Sequence, residues 1–229
     1  MKIDFVLVLK LDSEKRQQLF VQTMQSFARN TNKDLINRMV IIDDGSEVNI
    51  EVDDPLIKVI RPVSRVGVGG GKNLGVATHT LMGRGDMLYM LDGDVFFTPF
   101  WLEKMIDAYG GVLNDFKILG GGVHPYLQPR PNEQRLNVSS HDAISGWSWL
   151  LSYDTWDKYG KMADNALGTG QSEDWEYCQR IRNDGFLVGC IQPQVIAHCG
   201  VTNTEGKDIV GRKESEELAK SIASEAMLI

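Results

Sequence analysis

Short, β-rich apolar runs alternate with amphipathic stretches through the first half of this 229-residue chain. That alternation predicts an α/β fold: a Rossmann-like, mostly parallel central sheet flanked by helices. Two further observations support it. The runs are apolar at consecutive positions, as strands covered on both faces are. And two acidic turns, DDGS and DGD, each close one run, which puts both at carboxyl ends of strands, where ligands bind in such sheets.

The elements follow in order. IDFVLVL (residues 3–9) reads as a buried strand. Residues 13–30 read as a helix, because Leu19, Phe20, Met24 and Phe27 recur at helical spacing and Ser13 can cap the start. Residues 38–44 and 57–62 are the second and third strands. GVGGGKNLGVATHTLM (67–82) reads as a mobile glycine-rich loop entering a helix. Residues 86–94 are the fourth strand, and 98–109 a helix with Thr98 as cap and Pro99 at its first position. The second half is less regular. It reads as a strand and Pro-rich loop (116–134), a strand and short helix ending at Gly160 (141–160), and a capped helix stopped by glycine (172–185). A strand pair (186–200) and an amphipathic helical tail (214–229) complete it. No repeat, low-complexity stretch or linker divides the chain, so it reads as one domain.

The totals narrow the function. With 31 acidic and 24 basic residues the formal charge is −7, a poor match to sequence-independent nucleic-acid binding. No nucleic-acid partner is expected, and an acidic protein that holds a phosphate ester needs a bound cation to help it. Cys178, Cys190 and Cys199 form no CxxC pair. An odd cysteine count points to reduced thiols and a cytoplasmic location. The apolar run after Asp4 is too short for a signal peptide or a membrane span.

Three stretches carry chemistry. GVGGGKNLG fails as a P-loop, since Asn73 stands where Ser or Thr is required and the upstream glycine is out of place. It also fails the GxGxxG pattern. What remains is a glycine-rich helix entrance with Lys72 and Asn73, able to hold an anion. In MLDGDVFF, an Asp-Gly turn is the simpler reading. The apolar flanks favour a ligand instead: Gly93 lets the chain bend so that Asp92 and Asp94 approach one hard cation, Mg2+ or Mn2+. SEDWE places acids in a helix's first turn, where they complement its dipole or supply a general base. His198 sits among apolar residues, where a core role is the commoner one. Zinc held by Cys190, His198 and Cys199 lacks a fourth ligand at usual spacing.

The order of the stretches VIIDDGSE, VGVGGGKNLGV, YMLDGDVFF, ISGWSWLLS, GQSEDWEYCQRIRNDGFLV and VIAHCG resembles that of GT-A-fold (nucleotide-diphospho-sugar) glycosyltransferases, most closely the family 2 type, over residues 3–200. The resemblance implies a nucleotide-binding half near 1–97, an acceptor half near 98–210 and a C-terminal helix over 211–229. It places Val8, Asp43, Asp44, Ser46, Lys72, Asn73, Asp92, Gly93 and Asp94 around the donor nucleotide. Asp43 or Asp44 would meet the base. Lys72 stands where the family has Arg, keeping the charge without the bidentate fork. Asp94 and His198 would ligate Mn2+ or Mg2+, with Asp92 on the ribose or the metal's water shell. Gly146, Trp147, Trp149 and Glu173 would line the sugar and acceptor pocket, the tryptophans stacking on a pyranose. Asp174 would be the general base of an inverting transfer. The donor implied is a UDP-sugar, with a GDP-sugar possible, and the acceptor a glycan, lipid or protein hydroxyl. A retaining transferase, a nucleotidyltransferase on a related sheet and an inactive sugar-binding protein stay open as alternatives.

Overall fold

The computed structural model describes residues 1–122, 137–163 and 173–199. The expected Pro-rich loop, Ser172 as a helix cap and the 211–229 helix lie outside the described residues.

The first strand, β1 (Ile3–Leu9), is buried at every position. Its side chains divide between two cores: Phe5, Leu7 and Leu9 enter one, Val6 and Val8 the other. Helix α1 (Glu14–Asn30) covers the first face, capped by Ser13 as expected. β2 (Ile36–Asp43) and β3 (Ile57–Ile60) extend the sheet on one side of β1. Helix α2 (Gly67–Met82) crosses the second face and leads into β4 (Met87–Asp92) on the other side of β1. After β5 (Val95–Phe97), helix α3 (Trp101–Val112) joins α1 over the first core. β6 (Phe116–Gly120), β7 (Val138–His141) and β8 (Ser148–Ser152) follow. Helices α4 (Tyr153–Tyr159) and α5 (Glu173–Asn183) cover the second core, and β9 (Leu187–Ile191) and β10 (Ile196–His198) complete the described chain.

The main sheet has eight strands in the order β3-β2-β1-β4-β8-β6-β9-β7, and β10 pairs with β5 in a second, two-stranded sheet. β1, β2, β3 and β4 run parallel, and β6 runs parallel to β9; the remaining pairings in the main sheet are antiparallel. The register pairs Val8 with both Ile42 and Asp92. The carboxyl ends of β1, β2 and β4 are therefore level, which brings DDGS and DGD to one rim. Among the described residues, no helix is long and apolar enough to cross a membrane.

Three expectations change. The glycine-rich stretch is helical from Gly67 onward. Its glycines are the condition for packing: a Cβ on Gly71 would lie 2.7 Å from Val8 Cγ1, and one on Gly75 2.4 Å from Val6 Cγ1. Helix α3 begins at Trp101, after Phe100 in a left-handed conformation (φ 58°), so neither Thr98 nor Pro99 starts it. Thr98 Oγ1 instead donates to the Val195 carbonyl at 2.9 Å, securing the approach to β10. The pair of strands over 186–200 is split, β9 in the main sheet and β10 on β5.

A buried polar cluster lies at the opposite end of β1. Asp4 accepts from the Asn37 amide (2.8 Å), the Gly85 N–H (2.7 Å) and the Tyr153 hydroxyl (2.5 Å). His79, fully buried, sets Nε2 3.0 Å from the Phe5 carbonyl and Nδ1 3.3 Å from Asp4 Oδ1. Burial lowers the His79 pKa, and the Phe5 carbonyl and Asp4 only partly oppose that.

Two outcomes follow from this packing. Gly75→Ala gains about 1 kcal/mol of helix propensity, yet its methyl collides with Val6. The net change in urea unfolding is a loss of about 1–3 kcal/mol, part of which Val6→Ala restores; an unchanged midpoint refutes the close contact. His79 takes up a proton more readily unfolded than folded, so stability is lost as pH falls below the ordinary histidine value of 6.5. Urea midpoints at pH 7.5 and 5.5 separate further in wild type than in His79→Gln, and equal separations refute the assignment.

Candidate active site

The DDGS turn is built by its own side chains. Asp43, 1% exposed, accepts from the Ser46 N–H at 2.8 Å and from Arg61 Nε at 2.7 Å. Burial alone would raise its pKa, but the Ser46 and Arg61 hydrogen bonds hold it below the usual carboxylate range. Ser46 Oγ accepts from the Leu11 N–H at 2.7 Å, tying the turn to the loop after β1. Asp44 caps α2 from outside, accepting from the N–H groups of Val66 (2.6 Å) and Gly67 (3.2 Å), with Arg65 Nε at 3.5 Å. Gly45, at φ 92°, makes the turn possible.

Along α2, Lys72 and Asn73 turn inward. Lys72 is 1% exposed; Nζ donates to the Gly146 carbonyl at 2.6 Å and lies 3.9 Å from Asp92 Oδ1. The Asn73 amide donates to the Met162 carbonyl and accepts from its N–H, both at 2.9 Å. Neither lines the cavity as an anion or donor contact, as the sequence suggested; both are buried and brace the site from behind.

In DGD, the chain bends at Gly93 and Asp94 between β4 and β5. A Cβ on Gly93 would sit 3.1 Å from Leu9 Cβ, so glycine lets the bend press against β1. Thr23 on α1 pins it: Oγ1 donates to the Gly93 carbonyl and accepts from the Val95 N–H, each at 3.1 Å. The antiparallel pairing of His198 with Val95 brings His198 beside Asp94, although they are far apart in sequence. Nε2 lies 3.2 Å from Asp94 Oδ1, and the Cys199 N–H donates to the Asp94 carbonyl at 2.8 Å.

Asp92, Asp94 and His198 each offer one ligand atom, and these atoms lie within 4.8 Å of one another. Burial pushes the Asp92 carboxyl above its ordinary range; Asp94 and Glu173 add to this, and Lys72 and His198 offset it. Burial acts the same way on Asp94, but His198 outweighs it and keeps Asp94 low. The two aspartates in turn hold the His198 pKa up against burial. Asp92 Oδ1 is buried without a hydrogen-bond partner. Two hard carboxylates, one with an oxygen that lacks a hydrogen bond, and an imidazole fit a divalent cation.

The turn before β8 links this cluster to α5. Gly146 N–H donates to Asp174 Oδ2 at 3.1 Å, and the Trp147 carbonyl accepts from the Asp92 N–H at 3.0 Å. A Cβ on Gly146 would lie 2.9 Å from Lys72 Nζ, so a side chain there would displace the ammonium from its place. Asp174 Oδ1 accepts from the Trp175 N–H at 2.7 Å, so a backbone N–H meets each carboxylate oxygen. The Trp147 indole stacks on His198. Trp149 is fully buried, donates to the Ser145 carbonyl and packs near Tyr177. Neither it nor Trp147, which is buried against His198, has the exposed face for a sugar that the sequence suggested.

A cavity of about 630 Å³ opens over this rim, lined by Val8, Asp44, Asp92, Gly93, Asp94 and Glu173 among others. Three cations that sequence reasoning missed also line it: Lys10, Arg16 and Arg65. They come from separate segments, so no basic cluster shows along the chain. Lys10 and Arg16 share Asp12, at 3.0 and 3.1 Å. Position immediately after a strand's carboxyl end was the available signal for Lys10.

Lys72→Met leaves the buried Gly146 carbonyl without its donor. It lowers the free energy of urea unfolding by about 2 kcal/mol, and a wild-type midpoint refutes the clamp.

No curated protein sequence matches the chain. The fold is similar to that of the crystal structure of GalNAc-T7 with UDP, GalNAc and Mn2+, with a TM-score of 0.67 at 15% identity. The match covers 86% of this chain and 44% of that one, so this chain spans less than half the length of GalNAc-T7. The layered sheet with its acidic rim is thus a GT-A fold. The family model for glycosyl transferase family 2 matches residues 15–132, a span that holds both acidic turns and the glycine-rich helix between them; the chain belongs to that family.

Proposed function

We propose that this protein is a metal-dependent, inverting glycosyltransferase that moves a sugar from a nucleotide diphosphate, a UDP-sugar by preference, to a hydroxyl of a glycan, lipid or protein. One observation carries the reading: a cation-fitting triad, whose two carboxylates line the cavity, is joined through a single dipeptide to a separate, oriented carboxylate. Asp92, Asp94 and His198 form the triad, Asp174 is the carboxylate, and Gly146–Trp147 joins them. Family membership supports the reaction class. The UDP and Mn2+ bound to GalNAc-T7 support the donor type and a divalent cation.

Asp94, His198 and Asp92 would hold Mn2+ or Mg2+, whose charge stabilises a departing diphosphate. Lys10, Arg16 and Arg65 supply further positive charge along the cavity wall. Asp174, held by the Gly146 and Trp175 N–H groups, takes the proton of the acceptor hydroxyl as its oxygen bonds to the anomeric carbon. The bond from that carbon to the phosphate oxygen breaks, the nucleoside diphosphate leaves with the electron pair, and the anomeric configuration inverts. The cysteines, none of them in a disulfide, support a reducing, cytoplasmic setting.

The test is UDP or GDP release from a panel of nucleotide sugars with Mn2+ or Mg2+. Asp174→Asn lowers the rate about 10²–10⁴-fold with nucleotide affinity retained, while Asp94→Asn loses metal-dependent nucleotide binding. Equal release by wild type and Asp94→Asn refutes the cation clamp. NMR of a product with retained anomeric configuration refutes Asp174 as the inverting base.

A further inference from the structure

We propose that Trp147 is a positioning residue that fixes the plane of the His198 imidazole for the cation. This rests on the cation reading above and names the device that makes His198 a competent ligand. β10 is three residues long and ends at His198. Its pairing with β5 places the His198 backbone, and backbone pairing does not set the rotation of the ring.

A metal-binding histidine is ordinarily oriented by a hydrogen bond from its second ring nitrogen to a carboxylate or carbonyl. His198 turns Nε2 toward Asp94, and among the described residues nothing hydrogen-bonds its Nδ1. A ring stack stands in that place: the Trp147 indole lies 5.3 Å from the imidazole, centroid to centroid, with 23° between the planes. Aromatic planes in offset contact resist tilting, and the larger indole is itself immobile.

Its immobility has three visible causes. Trp147 is 4% exposed. Its carbonyl is fixed by the Asp92 N–H at 3.0 Å. And the outer edge of the ring sits over Gly122, where a Cβ would come within 2.8 Å of Cη2. The same residue therefore fixes the main chain of Asp92 and the side chain of His198, two members of the triad. The preceding Gly146 adds Lys72 and Asp174 to the same short segment.

The test measures free Mn2+ by EPR as it is titrated into the full chain, with UDP binding measured separately without metal. Trp147→Leu removes the stacking plane and weakens Mn2+ binding about 10–100-fold, a larger loss than any in metal-free UDP binding. Trp147→Phe keeps an aromatic plane without the indole N–H, and it holds Mn2+ affinity within about 3-fold of wild type. A purely structural role would lower the melting temperature without this split between metal and nucleotide, and without rescue by Phe.

A second measurement reads folded wild type and uses Trp147→Phe only to assign the signal. Mn2+ broadens the Trp147 indole N–H resonance, identified among the five tryptophans by its absence in Trp147→Phe. If Trp147→Leu binds Mn2+ as wild type does, this inference is overturned and the cation reading stands; if Mn2+ binds and that resonance stays sharp, the ion lies away from the triad and both fall. If wild type binds no Mn2+, the cation reading falls and this inference falls with it.

Discussion

Everything at the site hangs on one dipeptide, Gly146–Trp147. Four of its groups are committed: the Gly146 N–H to Asp174, the Gly146 carbonyl to Lys72, the Trp147 carbonyl to the Asp92 N–H, and the indole to His198. These partners come from α5, α2, β4 and β10, which are separated widely along the chain. Without the dipeptide, the carboxylate proposed as base and the carboxylates proposed as ligands belong to different layers with no common reference. With it, a shift of the β8 turn moves both sets together. Catalysis that depends on a base and a cation at a fixed separation needs such a shared frame, because small errors of position cost rate steeply.

That frame requires α2 to lie directly against the sheet. Lys72 reaches Gly146 only because Gly71 and Gly75 let the helix rest directly on Val8 and Val6. Glycine in a helix interior costs about 1 kcal/mol per position relative to alanine, so helix propensity is set against approach distance. Asp44 offsets part of that cost by capping the first turn from a neighbouring loop. On the other face of the sheet, Thr23 does the corresponding job for the DGD bend. The two acidic turns are thus each held by a helix, one through its N-terminus and one through a buried hydroxyl.

How much of this was readable in advance depended on the range of the interactions. The strand ends carrying Asp43, Asp44, Asp92 and Asp94 were legible, because apolar runs and the turns that close them are local signals. The capping by Ser13 was legible for the same reason. The glycine-rich stretch was misread as a mobile loop because its glycines answer to Val6 and Val8, more than sixty residues away, and local propensity contains no trace of them. Phe100 in the left-handed region likewise displaced the expected Thr98–Pro99 start of α3, since Thr98 is committed to Val195. His198 stood out only through the ordered likeness of six motifs. By composition it was a core histidine, and a two-strand sheet invisible to periodicity carries it to Asp94. Trp149 and Trp147 looked equivalent in sequence. One residue apart on either side of Ser148, they diverge because Trp149 enters the second core and Trp147 sits in the turn facing His198.

The charges of the cavity explain why the proposed cation and diphosphate would belong together. Asp44, Asp92, Asp94 and Glu173 face Lys10, Arg16 and Arg65 across one space. Several of these are already engaged, Asp44 with α2 and Lys10 and Arg16 with Asp12. The acid is concentrated at the triad, where burial raises the Asp92 pKa, Lys72 and His198 only partly oppose this, and one Asp92 oxygen has no hydrogen-bond partner. A diphosphate entering alone would meet that negative charge. A divalent cation entering alone would relieve the acids but keep open coordination positions toward the cavity. Each therefore improves the site for the other, and since coupling free energy is reciprocal, the order of arrival does not alter their joint stability. The acidic surplus of the whole chain, which argued against polyanion binding, is at this rim the reason the proposed phosphorylated ligand and metal ion would bind as a pair.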